Sequence, residues 1–163
     1  LRQQTLGFIF QSFNLIPVLN VYENVEFPLL LGKERPNKRE TKEWIEFLLE
    51  ATGLASHRTH KPSELSGGQR QRVAIARALV TKPMIVLADE PTANLDSKTG
   101  KAIIELMKRL NKELSTTFIF STHDPAIVAA ADHVIRLQDG QVVEEVRTGQ
   151  RRGEVAAEAG ASS

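Results

Sequence analysis

The sequence has no cysteine, one tryptophan, one tyrosine and no excess of either charge. Without cysteine, disulfides and thiolate-bound metals are excluded, and the composition suits a reducing compartment. Twenty-one lysines and arginines balance 20 aspartates and glutamates, so the net charge of +1 supplies no long-range field to attract nucleic acid or an anionic membrane. No nucleic-acid partner is expected, and partners must be sought in local sites. Apolar runs such as Met84 to Ala88 and Phe118 to Phe120 fall far below the ~20 residues of a membrane-spanning helix, and no signal-peptide pattern opens the chain. A soluble chain is expected. Leu1 lies a few residues ahead of an apolar run and no initiator methionine precedes it, which predicts a truncated N-terminus.

What is present suits one ordinary globular core: 163 residues, 41% hydrophobic and 25% charged. Leu6 to Phe10 reads as a strand buried on both faces that leaves its sheet at Gln11. From Asn14 to Pro62 the period turns helical. Val21 to Leu31 carries apolar residues at mixed spacing interrupted by Pro28, and Pro36 to Arg39 reads as a solvated turn. An amphipathic helix follows, with Trp44, Phe47, Leu48 and Ala51 on its core face and Gly53 as its stop. Beyond Ser63, helix and strand alternate: a helix from Arg70 to Val80, a strand from Met84 to Ala88, a helix capped by Asp96 or Ser97 with the stripe Ile103, Leu106, Met107, Leu110 and Leu114, and a buried strand from Thr117 to Phe120. A short helix over Ala126 to Ala131 and a hairpin over Val134 to Val146, turned at Asp139-Gly140, complete the pattern. This alternation predicts an α/β fold with a mostly parallel sheet. The aperiodic stretch 148–163 is expected to be disordered.

Several short segments carry chemistry. Leu65-Ser66-Gly67-Gly68-Gln69 directly precedes a helix, so Ser66 can cap it while the glycines let an anion approach exposed N–H groups. A flexible turn would explain Ser-Gly-Gly alone; the longer run Leu-Ser-Gly-Gly-Gln-Arg-Gln-Arg is far more specific. The strand Met84 to Ala88 delivers Asp89 and Glu90 at its C-terminal end, where α/β sheets bind ligands. Two adjacent acids repel unless a cation or proton relieves them. Asn94-Leu95-Asp96 follows, and the strand Phe118 to Phe120 leads into His123. His57-x-x-His60 has the spacing of a metal pair, but without cysteine nearby a solvated loop is the better reading.

Taken together, Gln11, Ser66 to Gln69, Asp89-Glu90, Asn94 to Asp96 and His123 resemble, in order and spacing, the motifs of ABC ATPases. The resemblance covers residues 6 to 146. Around Phe10 to Pro17 and Ala93 to Ser97 it is most similar to the bacterial lipoprotein-releasing and macrolide-exporting branch. It implies a P-loop NTPase-like three-layer core, represented partially, with a helical subdomain. Residues 1–12 would form a core strand and Q-loop, 13–62 the helical subdomain, and 63–147 the signature, Walker B, D-loop and switch-histidine part. By the same resemblance Asp89 would hold Mg²⁺ together with Gln11, Glu90 would act as general base, and His123 would orient the attacking water and contact the γ-phosphate. Ser66, Gly67, Gly68 and Gln69 would close over ATP held by a second, head-to-tail subunit, with Asn94, Leu95 and Asp96 at the junction. A transmembrane permease would dock through the Q-loop and the region from Phe13 to Leu31, placing the protein on the cytoplasmic face of the cell membrane.

One expected string is missing. A P-loop needs Gly-x-x-x-x-Gly-Lys followed by Ser or Thr, so that a backbone nest and a lysine wrap the phosphates. Gly100-Lys101 is followed by Ala102, and Gly32-Lys33 by Glu34. The chain is therefore expected not to hold or hydrolyse ATP alone. Rival readings are a soluble ABC ATPase acting on DNA or ribosomes, or a non-catalytic regulator that pairs with intact subunits. Only about 50 residues separate Gln11 from Ser66, too few for a long coiled coil, and the single signature motif argues against a twin-cassette protein.

Overall fold

The computed structural model describes residues 6–32 and 37–147. They fall into two units, divided between Asp124 and Pro125. Pro36 and the stretch 148–163, read from sequence as part of a turn and as a disordered tail, lie outside the described residues.

The first unit is built on a parallel sheet of β1 (Leu6–Ile9), β2 (Ile85–Asp89) and β3 (Thr117–Ser121), in that order. Its other elements are α1 (Val21–Leu30), α2 (Lys38–Ala51), α3 (Gly67–Leu79) and α4 (Ser97–Leu114). Helix α3 packs on β1 and α4 on β3. Gly7 makes the first contact possible: a Cβ there would stand 2.5 Å from the carbonyl oxygen of Ala78 in α3. The face under the helices is the row Gly7, Val86 and Phe118 and the row Ile9, Ala88 and Phe120. Ile9, Val86 and Ala88 there join Val73, Ile75, Leu79, Ile103, Met107 and Leu110 in the core.

The opposite face corrects the expectation of strands buried on both sides. Period-two alternation turns Leu6, Phe8, Leu87 and Ile119 away from α3 and α4, and Phe8 and Ile119 remain 47% and 50% exposed. Helices α3 and α4 cover one side of the sheet, whereas a parallel sheet ordinarily has both sides covered. Val86 is buried on the helix side.

Helix starts follow their caps. Asn20 and Glu23 form a reciprocal capping box on α1, Asn37 caps α2, Ser66 and Gln69 box α3, and Asp96 caps α4. Lys38 and Arg39, read as turn, therefore belong to α2. Pro28 lies inside α1, where it removes the N–H that would bond the carbonyl of Asn24, and the helix runs only two residues further, to Leu30. In α2 the buried stripe is Ile45, Leu48 and Leu49. Phe47, placed in the core by its spacing, lies at the surface and stacks on Trp44 at 5.3 Å. The indole of Trp44 donates to the carbonyl of Val80 at 2.9 Å, which ties α2 to the end of α3.

The second unit holds α5 (Pro125–Ala130) and the antiparallel hairpin of β4 (His133–Gln138) and β5 (Gln141–Arg147). Asp139 and Gly140 both take positive φ, 49° and 76°, the turn chemistry read from their sequence. A His133–Glu145 contact at 2.8 Å and an Arg136–Glu144 ion pair cross the hairpin.

Candidate nucleotide-handling site

Three parallel strands end in step. Ile9 stands opposite Ala88, and Ala88 opposite Phe120, so the residues after each strand leave from one C-terminal edge, where ligands bind in such sheets. Gln11 follows β1, Asp89 closes β2 with Glu90 next, and Thr122 and His123 follow β3.

Glu90 is held tightly there. Its φ of +42° is left-handed, a conformation that costs a non-glycine residue about 1–2 kcal/mol, and its N–H is anchored to the carbonyl of Ser121 at 2.8 Å. Carboxylate Oε1 meets Nδ1 of His123 at 2.5 Å and accepts the His123 N–H at 3.2 Å, while Oε2 accepts the Thr122 hydroxyl at 3.1 Å. Burial pushes the Glu90 carboxyl upward, but the hydrogen bonds from the His123 ring and Thr122, the His123 charge and the His123 backbone N–H outweigh it. The net result lies below the usual carboxylate range. An ionised carboxylate beside an imidazole whose side chain is 88% exposed can accept a proton from a group arriving from solvent.

The neighbouring loops are cross-tied. The Asn94 amide donates to the carbonyl of Gln11 at 2.8 Å, so the turn after Glu90 reaches the turn after β1. Thr92 Oγ1 donates to Asp124 at 2.6 Å. From α3, buried Gln71 donates to the carbonyl of Pro91 at 2.7 Å. Arg77 donates to the carbonyls of Phe13 and Asn14 at 2.7 and 2.6 Å, where both residues hold positive φ. The Arg70 guanidinium lies 5.5 Å from the Phe13 ring centre, a cation–π distance. One helix thus braces the backbone on either side of the sheet edge.

The N-terminus of that helix is Ser66 to Gln69. Ser66 Oγ accepts the Gln69 N–H at 3.3 Å and Gln69 Oε1 accepts the Ser66 N–H at 2.9 Å. A Cβ on Gly67 would lie 3.4 Å from Leu95 Cδ2 and 3.8 Å from the Asn94 carbonyl, so this turn abuts Asn94 to Asp96. Asp96 accepts the N–H and hydroxyl of Thr99 at 3.0 and 2.6 Å. These two bonds, the side-chain one first, draw its carboxyl below the usual range. Gln11, Asp89, Glu90 and His123 accordingly share one edge. Among the described residues, Ser66 to Gln69 make no hydrogen bond to Glu90 or His123 and lie instead against the Asn94 segment.

Sequence reading missed Thr122, Gln71 and Arg77. Thr122 was findable as a hydroxyl directly before His123; the other two lie inside a helix, where sequence offers no sign of which loop a side chain reaches. His57 and His60 stand with ring centres 5.1 Å apart, and among the described residues no group of three or more His, Asp or Glu side chains could hold a metal by itself.

The family model described as ABC transporter matches residues 1–93, more than half of the chain. The chain belongs to this family. Among its relatives, the ABC transporter ATP-binding protein YtrE of Bacillus subtilis (strain 168) is 49% identical over 85% of this chain and 59% of its own length. The lipoprotein-releasing system ATP-binding protein LolD of Acinetobacter baylyi is 48% identical over 85% of this chain and 60% of its own. The macrolide export ATP-binding/permease protein MacB of Rhodopirellula baltica is 45% identical over 90% of this chain and 21% of its own. The solved dimeric structure of MJ0796, a bacterial ABC transporter cassette, superposes with a TM-score of 0.75 at 44% identity, covering 90% of this chain and 64% of that one. The ABC cassette described here thus spans about three fifths of the length of YtrE and LolD. Its α/β sheet is that of the P-loop NTPase-like ABC ATPases, and the resemblance to the LolD and MacB branch holds.

Proposed function

We propose that this cassette couples ATP binding and hydrolysis to transport by a separate membrane permease, from the cytoplasmic face of the membrane. The observation that carries the reading is the 2.5 Å contact of Glu90 with His123 on the edge shared with Gln11 and Asp89. Glu90 is the general base: it is ionised, aimed and paired with an imidazole that orients the water and meets the γ-phosphate. Asp89 and Gln11 are the residues that would hold Mg²⁺. One carboxylate and an amide oxygen suit this ion, which keeps waters and substrate phosphates in its remaining positions. When bound, Mg²⁺ neutralises charge on the β- and γ-phosphate oxygens.

Ser66, Gly67, Gly68 and Gln69 form the half-site donated to a second ATPase subunit in a head-to-tail dimer, with Asn94, Leu95 and Asp96 at the junction. Two solved structures of the MJ0796 cassette support this arrangement, since both are dimeric and one is bound to ADP and Pi. Val18, Leu30 and Leu31, 74%, 67% and 69% exposed, supply apolar surface for the permease contact. Among the described residues no helix is long and apolar enough to cross a membrane.

Because residues 1–163 contain no P-loop string, they alone neither bind ATP tightly nor turn it over. Titration with Mg-ATP tests this: micromolar binding with steady hydrolysis contradicts it. Fused behind a segment that carries the P-loop string Gly-x-x-x-x-Gly-Lys-Ser/Thr, the chain should hydrolyse ATP. There Glu90→Gln should keep nucleotide binding while turnover falls by roughly 100-fold or more. Unchanged turnover rules out Glu90 as the base.

A further inference from the structure

His57 belongs to none of the motifs above. It lies in the short 3-10 turn Ala55–His57 between α2 and α3, partly buried, and its Nε2 stands 3.0 Å from Nε2 of Gln69. The direction of that bond follows from its neighbours. The backbone N–H of Ser66 can only donate, and it donates to Gln69 Oε1 at 2.9 Å. The other end of the Gln69 amide, facing His57, is therefore the NH₂ donor. His57 Nε2 must accept, so its proton resides on Nδ1, which lies 3.1 Å from Ser56 Oγ and donates to it.

We propose that His57 is a positioning residue for the signature turn, and that its neutral Nδ1–H form is required to hold Gln69 across the start of α3. Protonation places an N–H on Nε2 against the Gln69 NH₂, donor against donor. The pair can then separate, or the Gln69 amide can turn over and present oxygen to His57. Turning over loses the bond to Ser66 N–H, one half of the capping box. In either case acid loosens the Ser66–Gly67–Gly68 turn.

Charged groups on the neighbouring segments have partners of their own. Arg58 pairs with Glu46, Glu64 accepts the Lys61 N–H, Arg72 donates to the carbonyl of Thr52, and Arg70 lies over Phe13. A second imidazole, His60, stands beside His57, ring centres 5.1 Å apart and tilted 50°, and the experiment controls for it directly. The inference deepens the reading of Ser66 to Gln69 as a phosphate-closing half-site and rests on that reading for its consequence in ATP turnover.

The test is nitrogen-15 NMR on the full chain. At neutral pH the His57 ring should carry its proton on Nδ1. As pH falls, the Gln69 side-chain amide and the Ser66 amide should shift with the same midpoint as the His57 ring, and Ser66 hydrogen-exchange protection should drop by roughly fivefold. In His57→Gln, whose Oε1 can accept where Nε2 did but does not titrate, protection should persist at every pH. His60→Gln should keep the wild-type pH response. A neutral ring protonated on Nε2, a Ser66 amide that stays flat while His57 titrates, or a response abolished by His60→Gln overturns the proposal. These measurements use no nucleotide, so their failure removes the role of His57 and leaves the ATPase reading to the Mg-ATP experiment.

Discussion

Gly68 shows how closely the signature turn fits its neighbour. A Cβ there would lie 2.5 Å from Cγ2 of Thr99, and that methyl cannot swing aside, because the Thr99 hydroxyl is fixed on Asp96 at 2.6 Å. Gly68→Ala should destabilise the chain by about 1–3 kcal/mol through overpacking, despite alanine's better helix propensity. Thr99→Ser removes the methyl and keeps the hydroxyl, so thermal melts of the double variant should recover most of that loss. Additive losses would place the clash elsewhere. At this scale the sequence nominates candidates, since Glu90, His123 and Ser66 match the family's motifs by order and spacing. It could not see that Glu90 takes a left-handed backbone, or that Gln69 is shared between Ser66 and His57. Both depend on chain segments distant in sequence.

Among the elements, α1 is held by a buried asparagine. Asn24 is fully buried; its Oδ1 accepts the Ile16 N–H at 2.8 Å and its Nδ2 faces the carbonyls of Ile16, Leu19 and Asn20 at 3.2, 3.0 and 2.9 Å. One side chain thus folds the loop after Gln11 onto the helix. Asn24→Leu keeps the volume but strands those backbone groups, and urea unfolding should show a loss of about 2–4 kcal/mol. A loss under 1 kcal/mol would mean that water satisfies the loop instead. Helix α1 was also the element least legible beforehand: its apolar residues keep no clean period and Pro28 suggests a break. Helix α4, with a full stripe from Ile103 to Leu110 and an aspartate cap, was legible throughout. The difference is physical, since α4 has a single broad buried face, whereas α1 owes its place to polar side chains and tertiary contacts.

For the molecule as a whole, the open sheet face dominates behaviour. Leu6, Phe8, Phe10 and Ile119 are each more than 40% exposed, with Phe8 and Phe10 stacked at 6.1 Å. Residues 1–163 alone should therefore self-associate with rising concentration in sedimentation velocity, and Phe8→Lys should shift the distribution toward monomer. A monodisperse monomer at all concentrations would show the face to be tolerated by water. Sequence alone determined the family, the order of its motifs and the helix–strand alternation, because these reside in local residue types and spacing. Tertiary structure decided which side of each strand is covered, which loop each helix side chain braces and which nitrogen of His57 accepts. Burial and hydrogen-bond direction depend on what packs opposite, and that partner lies a dozen or more residues away along the chain.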